Sequence, residues 1–170
     1  MRRLTEANDR RIAVKCHRII AATAILPDCG AKYSKVMGID KGPTVVVVEY
    51  DPEWPRRFDD LRARIWPALA GVADRIEHVG STSVPGLKAK PIIDMTIVVR
   101  QRADVPPVIE RLATLGYHHL GNLDIEDLEA FARPAGLPRH RLYVCPDGTI
   151  GIVNQLAVRD YLRAHPDAAL

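Results

Sequence analysis

The stretch "IEHVGSTSVPGLKAKPIIDM", residues 76–95, decides how this chain is read. A strand-like run ends at Val79. Glycine, three hydroxyl residues, a Pro-Gly turn and two lysines follow, and a second strand-like run then carries one acid, Asp94, among apolar neighbours. Gly80 lets the backbone turn sharply and come close to a ligand. Ser81, Thr82 and Ser83 bring hydroxyls and N–H groups to the start of a short helical turn, a place that attracts phosphate oxygens. Lys88 and Lys90 add positive charge. If the two strands are neighbours, Asp94 faces the same pocket and can hold a magnesium ion that bridges bound phosphates. The competing reading is a tight connection built from small residues, with Asp94 merely solvated. A Gly-Ser pair alone is a weaker signal than a complete phosphate-loop motif.

Working outward, "TVVVVEY" at 44–50 is rich in β-branched residues and predicts a buried strand. Trp54, Phe58, Leu61, Ile65 and Leu69 recur at helical spacing and predict an amphipathic helix, with Gly71 at its end. Pro67 should kink or shorten that helix. Strands are expected at 75–79, 91–99 and 140–146, with a Asp-Gly turn at 147–148. Asp104 can cap a helix that opens with Pro106 and Pro107 and buries Val108, Ile109, Leu112 and Leu115. Residues 124–134 suggest a weak helix or ordered loop, and 153–165 a further helix. Strands and helices interleave without strict alternation. The expected class is therefore α+β, a mixed sheet flanked by helices.

A chain of 170 residues with 47% hydrophobic and 26% charged residues is ordinary for a globular domain with a real core. The net charge of +3 suits an anionic ligand such as a nucleotide, and is too small to predict nucleic-acid binding. Three cysteines without CxxC spacing argue against a disulfide framework or a zinc site and for a cytoplasmic setting. No run is long and apolar enough to cross a membrane. Residues 1–43 read as a loosely attached, basic N-terminal extension, and 44–170 as the domain. A sharper version starts the functional domain near Met37.

The order of Gly-Ser at the end of one strand and an acid fourteen residues later in the next resembles the nucleotidyltransferase superfamily, the fold of DNA polymerase beta. With "EYDPEWPRRFDDLRARI", "RLYVCPDG" and "VRDYLRAHPDAA" added, the chain looks like the GrpB family, whose module is also fused behind dephospho-CoA kinase in some bacteria. The resemblance implies binding of a nucleoside triphosphate with magnesium and transfer of a nucleotidyl group to an unknown hydroxyl acceptor. Gly80, Ser81 and Thr82 would hold phosphate, and Asp94 would be the catalytic metal carboxylate. Lys90, Arg133 and His140 would contact phosphate, with His78 and Thr96 lining the pocket.

The chain also departs from that pattern. The superfamily's acid-x-acid pair reads Asp94-Met95-Thr96, and no third acid stands in "RLYVCP". One carboxylate is thin support for the two ions that such transfer uses. The alternative reading is a non-catalytic nucleotide- or partner-binding module with a degenerate metal site, in one version accessory to coenzyme A biosynthesis. His78 and His140 are each equally readable as buried structural residues. Arg133 is equally readable as a solvated loop residue. Arg159, Asp160 and Arg163, one helical turn apart, suggest local ion pairing.

Overall fold

The structure, a computed structural model, describes residues 46–169. The expectations for residues 1–43, including a domain start near Met37, lie outside the described residues. Helix α1 (Trp54–Leu69) is followed by strand β1 (Arg75–Val79), a 3₁₀ turn (Ser81–Ser83) and strand β2 (Ile93–Val99). Helix α2 (Val105–Thr114), strands β3 (His118–Gly121), β4 (Glu129–Ala132) and β5 (His140–Pro146), and helix α3 (Ile150–Ala164) complete it. The five strands form one sheet in the order β1-β2-β5-β4-β3. Only β2 and β5 are parallel; the other three pairs are antiparallel.

The central pair explains the sequence of β2. A strand covered on both faces reads as a nearly continuous apolar run, and six of the seven β2 residues are buried. Alternation along the strands sorts the side chains between two faces. Ile76, Ile93, Met95, Ile97, Val99, Leu142, Val144 and Phe131 join the core under α1 and α2. Helix α1 contributes Trp54, Phe58, Leu61, Ile65 and Leu69, the periodic set expected from the sequence. On the other face Val98 and Cys145 pack with Leu128 and with Ile152 of α3.

Several local expectations are corrected. Of the run expected as a buried strand at 44–50, the described residues 46–50 are not one: Val46 and Val47 are 60% and 55% exposed, and among them only Val48 bridges, to Ala89. Without a partner beyond that bridge, β-branched composition does not make a strand. Of the two expectations for 124–134, a weak helix or an ordered loop, the loop holds as far as residue 128, with Leu123, Asp124 and Asp127 at left-handed backbone angles, and β4 follows in place of a helix. Pairing with β5 overrides the weak helical pattern there. Helix α1 runs through Pro67 to Leu69. The ring there forfeits one hydrogen bond near the helix end, while the buried stripe continues past it. Arg111 of α2 donates to the terminal carbonyls of Ala68 and Ala70, both at 3.0 Å, and so caps α1 from a neighbouring helix.

Ile97 is fully buried at the middle of the sheet. Ile97→Ala should cost about 2–5 kcal/mol of unfolding free energy, read by urea denaturation; a loss well under 1 kcal/mol would show that β2 is not covered on both faces.

Candidate functional site

The turn between β1 and β2 brings the sequence's glycine onto its acid. Val79 pairs with Asp94 across the antiparallel ladder, so Gly80 lies immediately beyond that pair. Gly80 has φ +70°, and a Cβ on it would stand 2.5 Å from Asp94 Oδ2. Both the left-handed angle and the close approach demand glycine. The turn that follows uses the amides of Ser83 and Val84, which bond the carbonyls of Gly80 and Ser81 at 3.1 and 3.2 Å. The amides of Ser81 and Thr82 come first in the turn and have no acceptor within it. Ser81 is exposed, as is Gly80.

Asp94, Thr96 and Val98 share a face of β2. Arg141, Tyr143 and Cys145 of β5 are their register partners. Asp94 Oδ1 lies 3.6 Å from Arg141 Nη1, with side chains 21% and 35% exposed. Burial of the Asp94 carboxyl pushes its pKa up to about 6, against the opposing pull of Arg141 and, more weakly, Lys90. Burial, with Asp94 nearby, also raises the Tyr143 phenol. Lys90 is exposed on the connection, close enough to act on Asp94, while Lys88 pairs with Glu49 at 2.6 Å.

Thr96 is fully buried, and its hydroxyl donates to Gln155 Oε1 of α3 at 2.8 Å. It therefore packs under α3 and does not line open space. Glu77, the register partner of Thr96, is held by Arg159 at 2.8 Å and Arg75 at 3.1 Å. Among the described residues no group of three His, Cys, Asp or Glu side chains converges as a metal site.

The two histidines belong to the opposite face. His78 pairs with Met95 and is stacked on Phe58 of α1, centroids 4.7 Å apart. Its Nε2 meets Thr82 Oγ1 at 3.1 Å, and Thr82 Oγ1 in turn donates to the Ile92 carbonyl at 3.3 Å. His78 and the buried Thr82 thus brace the turn from beneath. His140 pairs with Ile93, and both its ring nitrogens are engaged, with Tyr117 Oη and the Pro138 carbonyl, each at 2.7 Å. Arg133 donates to the Leu137 carbonyl at 2.8 Å, and its charge acts on His140 and Tyr117. The structure therefore brings Gly80, Ser81, Lys90 and Asp94 together. It sets His140 and Arg133 apart from them, because residues one step apart in a strand face opposite ways.

Two contributions lay outside the residues expected from the sequence. Arg141 carries no motif, and only the parallel register places it beside Asp94. Helix α3 secures the turn through arginines expected to pair locally. Arg159 does meet Asp160 at 2.7 Å, but it also reaches Glu77 and donates to the His78 carbonyl at 3.1 Å. Arg163 donates twice to the Ser83 carbonyl, at 2.8 and 3.0 Å.

Residues 44–170 match the GrpB protein family. The chain belongs to that family. It is 39% identical over 132 residues to a UPF0157 protein of Halalkalibacterium halodurans, covering 72% of this chain and 62% of that one. The chain thus spans less than two thirds of that relative, and 36% of a UPF0157 protein of Bacillus subtilis. It also resembles the dephospho-CoA kinase of Mycolicibacterium paratuberculosis, 35% identical over 92 residues, covering 52% of this chain and 23% of the kinase. The crystal structure of conserved protein GrpB from Enterococcus faecalis superposes with a TM-score of 0.64 at 31% identity, covering 72% of this chain and 74% of that chain. A Cid1 poly(U) polymerase structure matches at a TM-score of 0.50 and 13% identity, over 79% of this chain and 41% of that chain. The GrpB domain therefore has a nucleotidyltransferase-type fold, as the α+β mixed sheet and the Gly-Ser signature led one to expect. No helix among the described residues is long and apolar enough to cross a membrane.

Three outcomes follow from the geometry. Gly80→Ala should lower the thermal midpoint by the equivalent of about 1–3 kcal/mol, the scale of backbone strain at such positions; an unchanged midpoint would refute the close approach. Thr96→Asp should destabilise by about 3 kcal/mol or more, because it buries a carboxylate facing the amide oxygen of Gln155. A thermal melt at neutral pH reads this directly. The third concerns pH. His78 is held to a pKa of about 4 by burial and by the charges of Arg163 and Arg159, against an ordinary 6.5. The unfolded chain takes this proton first, so His78 removes stability as pH falls from about 6.5 towards 4. Asp94, raised from 3.8 to about 6, has the opposite sign and removes stability as pH rises through that window. Asp94→Asn should therefore unmask the His78 slope and melt more steeply on acidification than the wild type. Parallel melting curves between pH 6 and 4 would contradict this assignment.

Proposed function

We propose that the chain binds the phosphate end of a nucleoside triphosphate at the Gly80–Ser81 turn, as a binding module of nucleotidyltransferase fold. The observation that carries this reading is Gly80 pressed against Asp94, with the first amides of the turn and the side chains of Arg141 and Lys90 at the same edge. Backbone N–H groups beside fixed cations are what phosphate oxygens select.

The residues present do not fit a two-ion magnesium centre. Among the described residues Asp94 is the one carboxylate at the edge, it already faces a guanidinium, and the neighbouring acid position is a threonine sealed under α3. Nucleotidyl transfer to an unknown acceptor is accordingly the second reading, favoured only by the meeting of glycine and acid in the order that the superfamily uses. The dephospho-CoA kinase likeness adds a link to coenzyme A biosynthesis as a further proposal, resting on part of the chain.

A thermal-shift plate of nucleoside triphosphates, diphosphates and inorganic phosphate, with magnesium and with EDTA, tests the binding reading. A ligand at 100 times its dissociation constant stabilises the folded state by about 2.7 kcal/mol. A rise in midpoint with triphosphates in either buffer is expected. No rise with any nucleotide sinks the proposal, and incorporation of labelled nucleotide into an acceptor would establish the second reading instead.

A further inference from the structure

The mismatch between this edge and a metal centre points to what replaces the ion. Arg141 projects from β5 onto the same face as Asp94. At 3.6 Å the contact between them is electrostatic and longer than a hydrogen bond. A guanidinium offers five N–H donors in a fixed fork that matches phosphate oxygens two at a time. Among the described residues the structure records no hydrogen bond that uses them. Arg141 is thus held in place by its charge-assisted contact with Asp94 and is one third exposed, with the rest of its fork free of any other recorded partner.

The surroundings favour a resident cation over a bound one. A divalent ion on Asp94 would sit beside the Arg141 guanidinium, and like charges repel strongly where water is partly excluded. Among the described residues the structure places no second free carboxylate at this edge to offset that repulsion. Glu77 is engaged by Arg75 and Arg159, and Thr96 is bonded to Gln155. Lys90, exposed on the connection, adds a second positive charge near Asp94. Asp94 crowds Gly80 on the side a Cβ would occupy, while Gly80 and Ser81 are exposed to solvent, where a ligand can reach the backbone.

We infer that Arg141, oriented by Asp94, takes the phosphate oxygens that a metal ion would otherwise hold, so that this chain binds polyphosphate-bearing ligands without a divalent cation. The inference rests on the phosphate reading of the Gly80–Ser81 turn. It assigns Asp94 a new part: it is a positioning residue for Arg141 and not a metal ligand. It also makes binding steeply salt-dependent, because fixed cations do the work that a coordinated ion would do.

Titration calorimetry with ATP and with inorganic tripolyphosphate, each in EDTA and in magnesium, tests it. The full chain is used as wild type, Arg141→Gln, Arg141→Lys, Asp94→Asn and, as a control on an exposed neighbouring arginine, Arg139→Gln. Binding in EDTA at least as tight as in magnesium is expected. Arg141→Gln should weaken it about 10-fold or more, the scale of one charge-assisted contact. Arg141→Lys should restore part of the loss, Asp94→Asn should weaken binding equally in both buffers, and Arg139→Gln should leave it unchanged. Binding that requires magnesium and survives Arg141→Gln would overturn the inference and leave the phosphate reading standing. No binding in either buffer would overturn both. Should Arg141→Gln fail to fold, the comparison of EDTA with magnesium on the wild type, together with Arg141→Lys, decides alone.

Discussion

The parallel ladder between β2 and β5, from Ile93 opposite His140 to Val99 opposite Pro146, is the constraint on which the rest depends. It is the one parallel pair in the sheet, and it lies at the centre. A parallel pair needs a crossover, and α2 with the β3–β4 hairpin supplies it. The crossover leaves one face to α1 and α2 and the other to α3. The register also decides chemistry. It sets Arg141 beside Asp94, Tyr143 beside Thr96, and Cys145 beside Val98. A slip of one residue would exchange Arg141 for His140 or Leu142 and place an apolar or neutral side chain against the acid.

The candidate site grows from that ladder at its open end. β1 pairs with the free edge of β2 and delivers Gly80 against Asp94, while α3 ties the same turn down from the other side. Arg159 and Arg163 donate to the carbonyls of His78, just before the turn, and of Ser83 within it. From beneath, Phe58, His78 and Thr82 form a column under the turn. The loop is therefore fixed from both faces before any ligand arrives. Such preorganisation lowers the ordering cost of binding.

Much of the fold was legible in the sequence. The periodic stripe of α1, the strands at 75–79 and 140–146, and the apolar run of β2 all follow from patterns with one dominant partner surface. The failures have a common physical cause. "TVVVVEY" has the composition of a strand, but among its described residues only Val48 finds a strand partner. Residues 124–134 carry a faint helical period, but β5 offers an edge that captures Glu129–Ala132. In both cases a weak local preference was settled by the availability of a neighbouring strand, which is not encoded locally.

The sequence by itself determined that a glycine turn and a hydroxyl cluster connect two successive strand-like runs, that the second run carries one acid, and that a threonine stands where the resemblance expects that acid's companion. All three statements concern residues close along the chain, where spacing fixes geometry. Only the tertiary structure decided the company this acid keeps. Gly80, Ser81 and Lys90 remain with Asp94, whereas His140 and Arg133 turn to the other face, with His78 beneath the turn. Thr96 is sealed by Gln155, 59 residues away, and Arg141 arrives from a strand 47 residues beyond Asp94 (141 − 94). Side-chain alternation along a strand is local and readable; which strand lies alongside, and in which register, is a property of the packed sheet alone.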